Sequence, residues 1–355
     1  MFSVSNVYEI NNNLQSEKHI EEVPWIEKYR PNDINGISSQ EEVKAMLQKT
    51  LETGDLPHLL FHGPPGTGKT STVLAIAQQL FGPKAYKDRV VELNASDERG
   101  INIVRNKIGT IAKSSLGKKD SRYPCPDFRI IILDEADAMT NDAQSALRKT
   151  MEEYSKITRF CFICNYINQI IDPISSRCVK FRFKPISATI METKLLDIAK
   201  LENINIKKKH IKIISEVSEG DMRKGITYLQ NTKYINITDN SINDLCNIYP
   251  QKNIDQIITT CKERNINKIV QLSRDIKRSG FSISSILKSL VKTINKDKQL
   301  DDKNKSLILF LISTTERKIV SGADEYIQML NVMGKLSQGF KNAIEKDVIV
   351  NINLI

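Results

Sequence analysis

Aromatic and sulfur-bearing residues are scarce in this chain. Aromatic residues make up 6% of its 355 positions, with a single tryptophan and four histidines. Six cysteines, Cys125, Cys161, Cys164, Cys178, Cys246 and Cys261, are scattered without framework spacing. That excludes a disulfide-stapled scaffold and predicts a reduced, intracellular protein. No stretch approaches the roughly 20 apolar residues that cross a bilayer. Residues 1–22 are polar and rich in Asn and Glu, so neither a membrane protein nor a secreted one is expected. Cys161 and Cys164 have zinc-ligand spacing, but they lie in the apolar run 159–164, which reads as a buried strand, and no second pair accompanies them. No metal site is expected there.

What is present is globular: 40% hydrophobic and 26% charged residues. At about 100–200 residues per domain, the length allows two or three domains. Lys and Arg number 52 against 42 Asp and Glu, a net charge of +10, which favours phosphate-bearing partners. A chain this rich in Ile, Asn and Lys also fits A·T-rich coding, so charge alone leaves nucleic acid open.

Between residues 40 and 185 strand and helix patterns alternate. Strands are read at 59–62, 90–93, 130–133 and 159–164, with helices at 69–81 (stopped by Gly82-Pro83), about 102–113, and from Asn141. This predicts an α/β fold, a parallel sheet with helices on both faces. On the second helix Ile101, Val104, Ile108 and Ile111 form the apolar stripe. On the third, Asn141 and Gln144 suit a capping box, and Ala143, Leu147 and Met151 form the packed stripe, leaving Arg148 and Lys149 outward. Residues 114–127 read as an exposed loop. After Lys184-Pro185 the strands stop and helical patterns continue to the C-terminus.

Gly63-Pro64-Pro65-Gly66-Thr67-Gly68-Lys69-Thr70, followed by Ser71, joins a short apolar strand to a helix, the context that turns a GxxxxGK[ST] match into a P-loop. Its backbone N–H groups cradle phosphates, Lys69 reaches the β/γ oxygens, and the Thr70 hydroxyl ligates Mg²⁺. A Gly-rich turn without a ligand is the bland alternative. Asp134 and Glu135 end the strand 130–133, at the sheet edge where ligands of open α/β folds collect. Asp134 is expected to be an outer ligand of Mg²⁺, acting through water, and Glu135 the base that orients and polarises the attacking water. Asn165 ends the next strand, either as a turn residue or as an amide facing the attacking water. Arg177 and Arg223 are phosphate-contact candidates, or plain surface residues.

Several segments together resemble one family. VPWIEKYRP (23–31), GPPGTGKTST (63–72), LNASDERG (93–100), LDEAD (133–137), RFCFICN (159–165), SSRC (175–178) and EGDMRK (219–224) stand in the order seen in small subunits of replication factor C, a clamp loader. FGPKAY (81–86), PCPDF (124–128) and SGADEY (321–326) resemble the eukaryotic branch called subunit four. The resemblance spans residues 21 to 345. The tail, residues 203–210 and the Lys/Asp-rich stretch 295–305 depart from it in composition, whereas every catalytic motif is intact.

The resemblance implies a flexible tail (1–20), an AAA+ P-loop ATPase domain (21–185), a small helical lid (186–245) and an all-α collar for oligomerisation (246–355). It implies a nuclear heteropentamer with the other replication factor C subunits, using ATP and Mg²⁺ to open the sliding clamp PCNA and load it on primer–template DNA. Asn165 becomes a first sensor and Arg223 a second. Ile26, Arg30 and Ser38 wrap the adenine, and Arg177 is a finger acting in trans on a neighbour's ATP. Arg105, Lys107 and Lys113 contact DNA phosphates without sequence preference. Two other readings remain at this point, an ATP-binding scaffold with little hydrolysis, which Glu135 disfavours, and an AAA+ branch-migration helicase.

Overall fold

A computed structural model of the chain describes residues 23–31, 36, 41–96, 108–114, 116–117, 119–297 and 302–339. The chain divides into two compact units, residues 1–233 and 234–355. Among the described residues no helix is long and apolar enough to cross a membrane.

The first unit is built on a five-stranded sheet: β1 (Leu59–His62), β2 (Val90–Asn94), β3 (Arg129–Asp134), β4 (Thr158–Cys164) and β5 (Val179–Arg182). The order is β2-β3-β4-β1-β5 and every pairing is parallel. Because helices cover both faces, the central strands are apolar at successive positions instead of alternating. Leu59, Phe61, Ile130, Ile132, Cys161 and Ile163 enter one core, and Leu60, Ile131, Leu133, Phe160, Phe162 and Cys164 the other. Cys161 and Cys164 thus point to opposite faces of β4, and no bound metal could join their thiols.

The helices of this unit are α1 (Trp25–Lys28), α2 (Glu41–Thr53), α3 (Lys69–Arg89), α4 (Gly109–Lys113), α5 (Asn141–Glu153), α6 (Asp172–Ser175), α7 (Ala188–Leu201), α8 (Lys208–Ser218) and α9 (Met222–Asn231). The four expected strands are present. The fifth, β5, escaped the periodicity because Val-Lys-Phe-Arg at a sheet edge is mostly exposed. Gly82-Pro83 does interrupt the helix after the P-loop, with Gly82 at φ 68°, ψ 169°, but the helical path resumes to Arg89. Proline at the first position of a new turn costs no hydrogen bond, so the break becomes a kink. Ile101 and Val104 lie outside the described residues, Ile108 immediately precedes α4 and is buried, and Ile111 packs against the same core.

On α5 the cap differs from expectation. Thr140 is the N-cap, accepting from Ala143 N, while Gln144 is buried with the stripe of Ala143, Leu147 and Met151. The Gln144 amide donates to Met139 O and Gln169 O and accepts from Ile171 N, at 3.3, 2.9 and 2.9 Å. A buried amide must satisfy its polar atoms, and here strand-end loops offer the partners that a cap would have supplied. Arg148 pairs with Glu152 on the same helix. The loop 114–127 is not wholly exposed either. Cys125 is buried, and the buried Arg89 donates to Pro126 O and Gly117 O.

The second unit is helical throughout its described residues: α10 (Asp239–Leu245), α11 (Gln251–Glu263), α12 (Ile266–Ser279), α13 (Ile283–Lys296), α14 (Asp302–Val320) and α15 (Glu325–Gly339). Thr238 and Ser241 form a capping box on α10. Asn265 caps α12, which ends on the left-handed Gly280. Ile254, Ile257, Leu287, Leu290, Met333 and Leu336 make its core.

Candidate active site

A cavity of about 270 Å³ opens at the C-terminal ends of β1, β3 and β4, where ligands of parallel sheets bind. Its P-loop wall is residues 65–71. β1 ends at His62 and α3 starts at Lys69, so the loop delivers the ligand position to a helix N-terminus, the positive end of the helix dipole. Gly63 must be glycine because a Cβ there would sit 2.3 Å from Phe183 O, which continues past β5. Gly66 has φ +67° and Gly68 φ +90°, the left-handed turns that make an anion nest.

Lys69 is 7% exposed. Its Nζ donates to Gly63 O and Pro64 O at 2.8 Å each and to Asn165 Oδ1 at 3.1 Å. Burial pushes its ammonium pKa down, an effect opposed by the Asp134 carboxylate. Gly63 and Pro64 therefore serve the site through their carbonyls and do not line the cavity. The Thr70 hydroxyl donates to Asp134 Oδ2 at 2.7 Å, and Glu135 N donates to Asp134 Oδ1 at 2.9 Å. Glu135 is exposed with φ 53°. A left-handed non-glycine residue costs about 1–2 kcal/mol, and such outliers collect at functional sites. Here the turn leaves the Glu135 side chain on the cavity lining instead of continuing β3.

The donor set suits a nucleotide with a hard divalent ion. A hydroxyl and a carboxylate oxygen lie side by side, which is magnesium's ligand chemistry. The Lys69 ammonium, hydrogen-bonded to neutral oxygens, stands at a helix N-terminus beside left-handed glycines. The residues present fit ATP with Mg²⁺.

The opposite wall comes from the α1 segment and the helices after residue 186. Ile26, Arg30, Ile186, Lys194, Met222, Arg223 and Ile226 line it. Arg223 is exposed, and Arg30 donates to Glu27 Oε1 at 2.7 Å. Asp221 caps α9, accepting from Lys224 N at 3.2 Å, while Met222 N donates to Gly66 O at 3.1 Å. A Cβ on Gly66 would fall 1.6 Å from Asp221 Oδ1, so α9 is fitted directly to the P-loop. The α1 segment grips the same helices. Trp25 N donates to Gln230 Oε1, and the Lys28 ammonium and Tyr29 hydroxyl both reach Glu202 Oε1.

Arg177 does not line its own chain's cavity. It follows α6, and its guanidinium donates to Pro173 O and pairs with Glu152 on α5. Lys113 is exposed at the end of α4, also off the cavity. Ser38, Arg105 and Lys107 lie outside the described residues. Sequence reasoning missed Glu92 and Lys194 on the lining. Burial raises the Glu92 carboxyl pKa and Arg30 lowers it. A carboxylate placed within the apolar β2 pattern was the available signal for Glu92. Lys194 carried none, because only the docking of α7 brings it to the site.

Two family models match the chain, "ATPase family associated with various cellular activities" over residues 59–186 and "Replication factor C C-terminal domain" over residues 249–335. Replication factor C subunit 4 of Arabidopsis thaliana is 47% identical over 315 residues, covering 87% of this chain and 93% of that one. Subunit 4 of Homo sapiens is 46% identical over 330 residues, with coverages of 90% and 91%. Subunit 2 of Saccharomyces cerevisiae is 42% identical over 337 residues, with coverages of 92% and 96%. Among solved structures, a mutant of Thermotoga maritima RuvB gives a TM-score of 0.50 at 15% identity, covering 70% of this chain and 85% of that one. That likeness speaks for the fold alone.

Proposed function

Since the chain belongs to the replication factor C small-subunit family and carries its AAA-type ATPase domain, we propose that it is a motor subunit of a nuclear, five-subunit clamp loader. The enzyme is an ATP hydrolase that works within a hetero-oligomer. ATP binding lets the assembly open the sliding clamp PCNA and grip primer–template DNA, and hydrolysis releases the closed clamp. Residues 21–185 form the motor, 186–245 the lid and 246–355 the collar that joins the other subunits.

Within the site, the nest of residues 65–70 and the Lys69 ammonium bind the phosphates. Burial lowers the Lys69 ammonium pKa, and the Asp134 carboxylate opposes that effect. Thr70 and, through water, Asp134 would hold Mg²⁺, which would supply charge stabilisation for the phosphate oxygens. Glu135 accepts the proton of the attacking water, and Asn165 orients that water or the terminal phosphate. Ile26, Arg30 and Ser38 enclose the base, and Arg223 reports the nucleotide to the lid. Arg177, already outside its own cavity and held by Glu152, is supplied to the neighbouring subunit's ATP. Arg105, Lys107 and Lys113 meet DNA phosphates.

The observation that carries this reading is the convergence of three distant segments, with Thr70 on Asp134 at 2.7 Å and Lys69 on Asn165 at 3.1 Å. The test is Glu135→Gln in the reconstituted assembly. Nucleotide binding stays intact, while this site's hydrolysis falls by about 10²–10⁴-fold, the usual worth of a general base. Unchanged hydrolysis and unchanged clamp loading would leave the chain an ATP-binding scaffold.

A further inference from the structure

The last carboxylate of the acidic strand end does work that neither Mg²⁺ binding nor proton transfer accounts for. Asp137 sits in the short 3-10 turn Ala136–Ala138, entered through the left-handed Glu135. Its Oδ2 accepts from two successive backbone amides, Asn165 N at 3.0 Å and Tyr166 N at 3.1 Å. Those amides lie just past the end of β4, where the ladder can no longer fix the chain. The Asn165 side chain in turn accepts from Lys69 Nζ. A continuous line of hydrogen bonds therefore runs from the β3 turn, through the backbone of β4's end, to the P-loop lysine.

We propose that Asp137 is a positioning residue for Asn165, setting the place of the sensor amide relative to Lys69 without touching nucleotide itself. The supporting geometry is specific. Asp137 is not among the residues lining the cavity, whereas Asp134, Glu135 and Asn165 are. Its carboxylate reaches across from β3 to β4, and the two amides it receives flank the one side chain of that segment which contacts Lys69. Hydrogen bonds to a charged acceptor are about twice as strong as neutral ones, so one carboxylate oxygen suffices to hold two adjacent N–H groups. The same segment is anchored farther along by Gln144, which bonds Gln169 O and Ile171 N. Asp137 fixes its first residues and Gln144 its last.

The kinetic arm of the test rests on the ATPase reading above; the exchange arm does not. Hydrogen exchange of the full chain is followed in a peptide spanning residues 165 and 166 for wild type, Asp137→Ala and Asp137→Asn. Exchange at these amides should quicken by about tenfold or more in Asp137→Ala, since an opened hydrogen bond loses its protection. Asp137→Asn, which keeps one carbonyl oxygen as acceptor, should restore most of the protection and shows that the site still folds. In the reconstituted assembly, Asp137→Ala should lower kcat by about tenfold to a hundredfold, the order expected when a catalytic group is misplaced by about 1 Å, with ATP affinity changed less than about threefold. In an Asn165→Ala background the same substitution should change kcat by less than about twofold, because residues acting through one another are not additive.

Equal losses in both backgrounds would overturn the proposal, as would unchanged exchange at residues 165 and 166. An assembly that hydrolyses no ATP with the wild-type chain would instead refute the motor reading, and the exchange result would still decide the role of Asp137.

Discussion

Gly66→Ala tests how tightly α9 is fitted to the P-loop. The new Cβ would lie 1.6 Å from Asp221 Oδ1 and 2.3 Å from its Cγ, so the Asp221 side chain has to leave. With it goes the cap on α9, worth about 1 kcal/mol, and the Met222 N to Gly66 O bond, worth about another 1 kcal/mol. The left-handed backbone at φ +67° adds about 1–2 kcal/mol for any residue with a Cβ. The expected loss is about 3–4 kcal/mol, against about 1–2 kcal/mol when Asp221→Ala has already emptied the space and removed the cap. The assay is built into the chain. Trp25 is its single tryptophan, 4% exposed, and its backbone N–H is bonded to Gln230 of α9. Urea unfolding read by Trp25 fluorescence should show a midpoint lowered by about 1–4 M for Gly66→Ala, given slopes of about 1–3 kcal/mol per M. In the Asp221→Ala background the further shift should be about half as large. Equal shifts in both backgrounds would refute the fitted contact.

Two further outcomes follow from burial. His58 is held neutral down to a pKa of about 4, by burial first and the Arg159 charge second, and its Nδ1 accepts from Phe160 N at 3.1 Å. The unfolded chain takes up this proton near pH 6.5 and the folded chain only near 4, so stability is full above pH 6.5 and declines as pH falls through about 4. His58→Asn, which keeps an acceptor but does not titrate, should flatten the stability–pH curve in that window; an unchanged slope would count against the half-buried neutral imidazole. All six cysteines are buried and free, and burial raises Cys164, Cys178 and Cys261 to about 12 and Cys246 to about 11. Native protein at pH 8 should therefore resist iodoacetamide while urea exposes all six thiols, and any thiol alkylated natively at the free-cysteine rate would contradict this.

The readable parts of the site were those coded by contiguous residues. The P-loop carries its glycines, lysine and threonine in one stretch between an apolar strand and a helix, and Asp134, Glu135 and Asn165 announce themselves as polar residues ending apolar strands. β5 was illegible because an exposed edge strand has no apolar run to betray it. Gln144 was misread as half of a capping box, since three-residue spacing is shared by caps and by buried amides, and only the arrival of residues 169 and 171 decides between them. Asp137 carried no sequence signal of its role because its partners are backbone N–H groups, which every sequence carries everywhere. Lys194 comes to the cavity through the docking of a separate element, a tertiary event with no local pattern, whereas Glu92 showed only as a carboxylate within the apolar β2 pattern. The site's chemistry is thus local, and the geometry that holds it is not.

The most direct measurement of the motor claim is steady-state ATP hydrolysis by the five-subunit assembly, with and without PCNA and primed DNA, comparing wild type with Arg177→Ala in this chain. Stimulation by clamp and DNA that falls with Arg177→Ala, by up to the 10³–10⁵-fold worth of an arginine finger at the neighbouring site, while this chain still binds ATP, is the predicted result. An intact assembly whose hydrolysis ignores both the clamp with its DNA and the loss of Arg177 would contradict it.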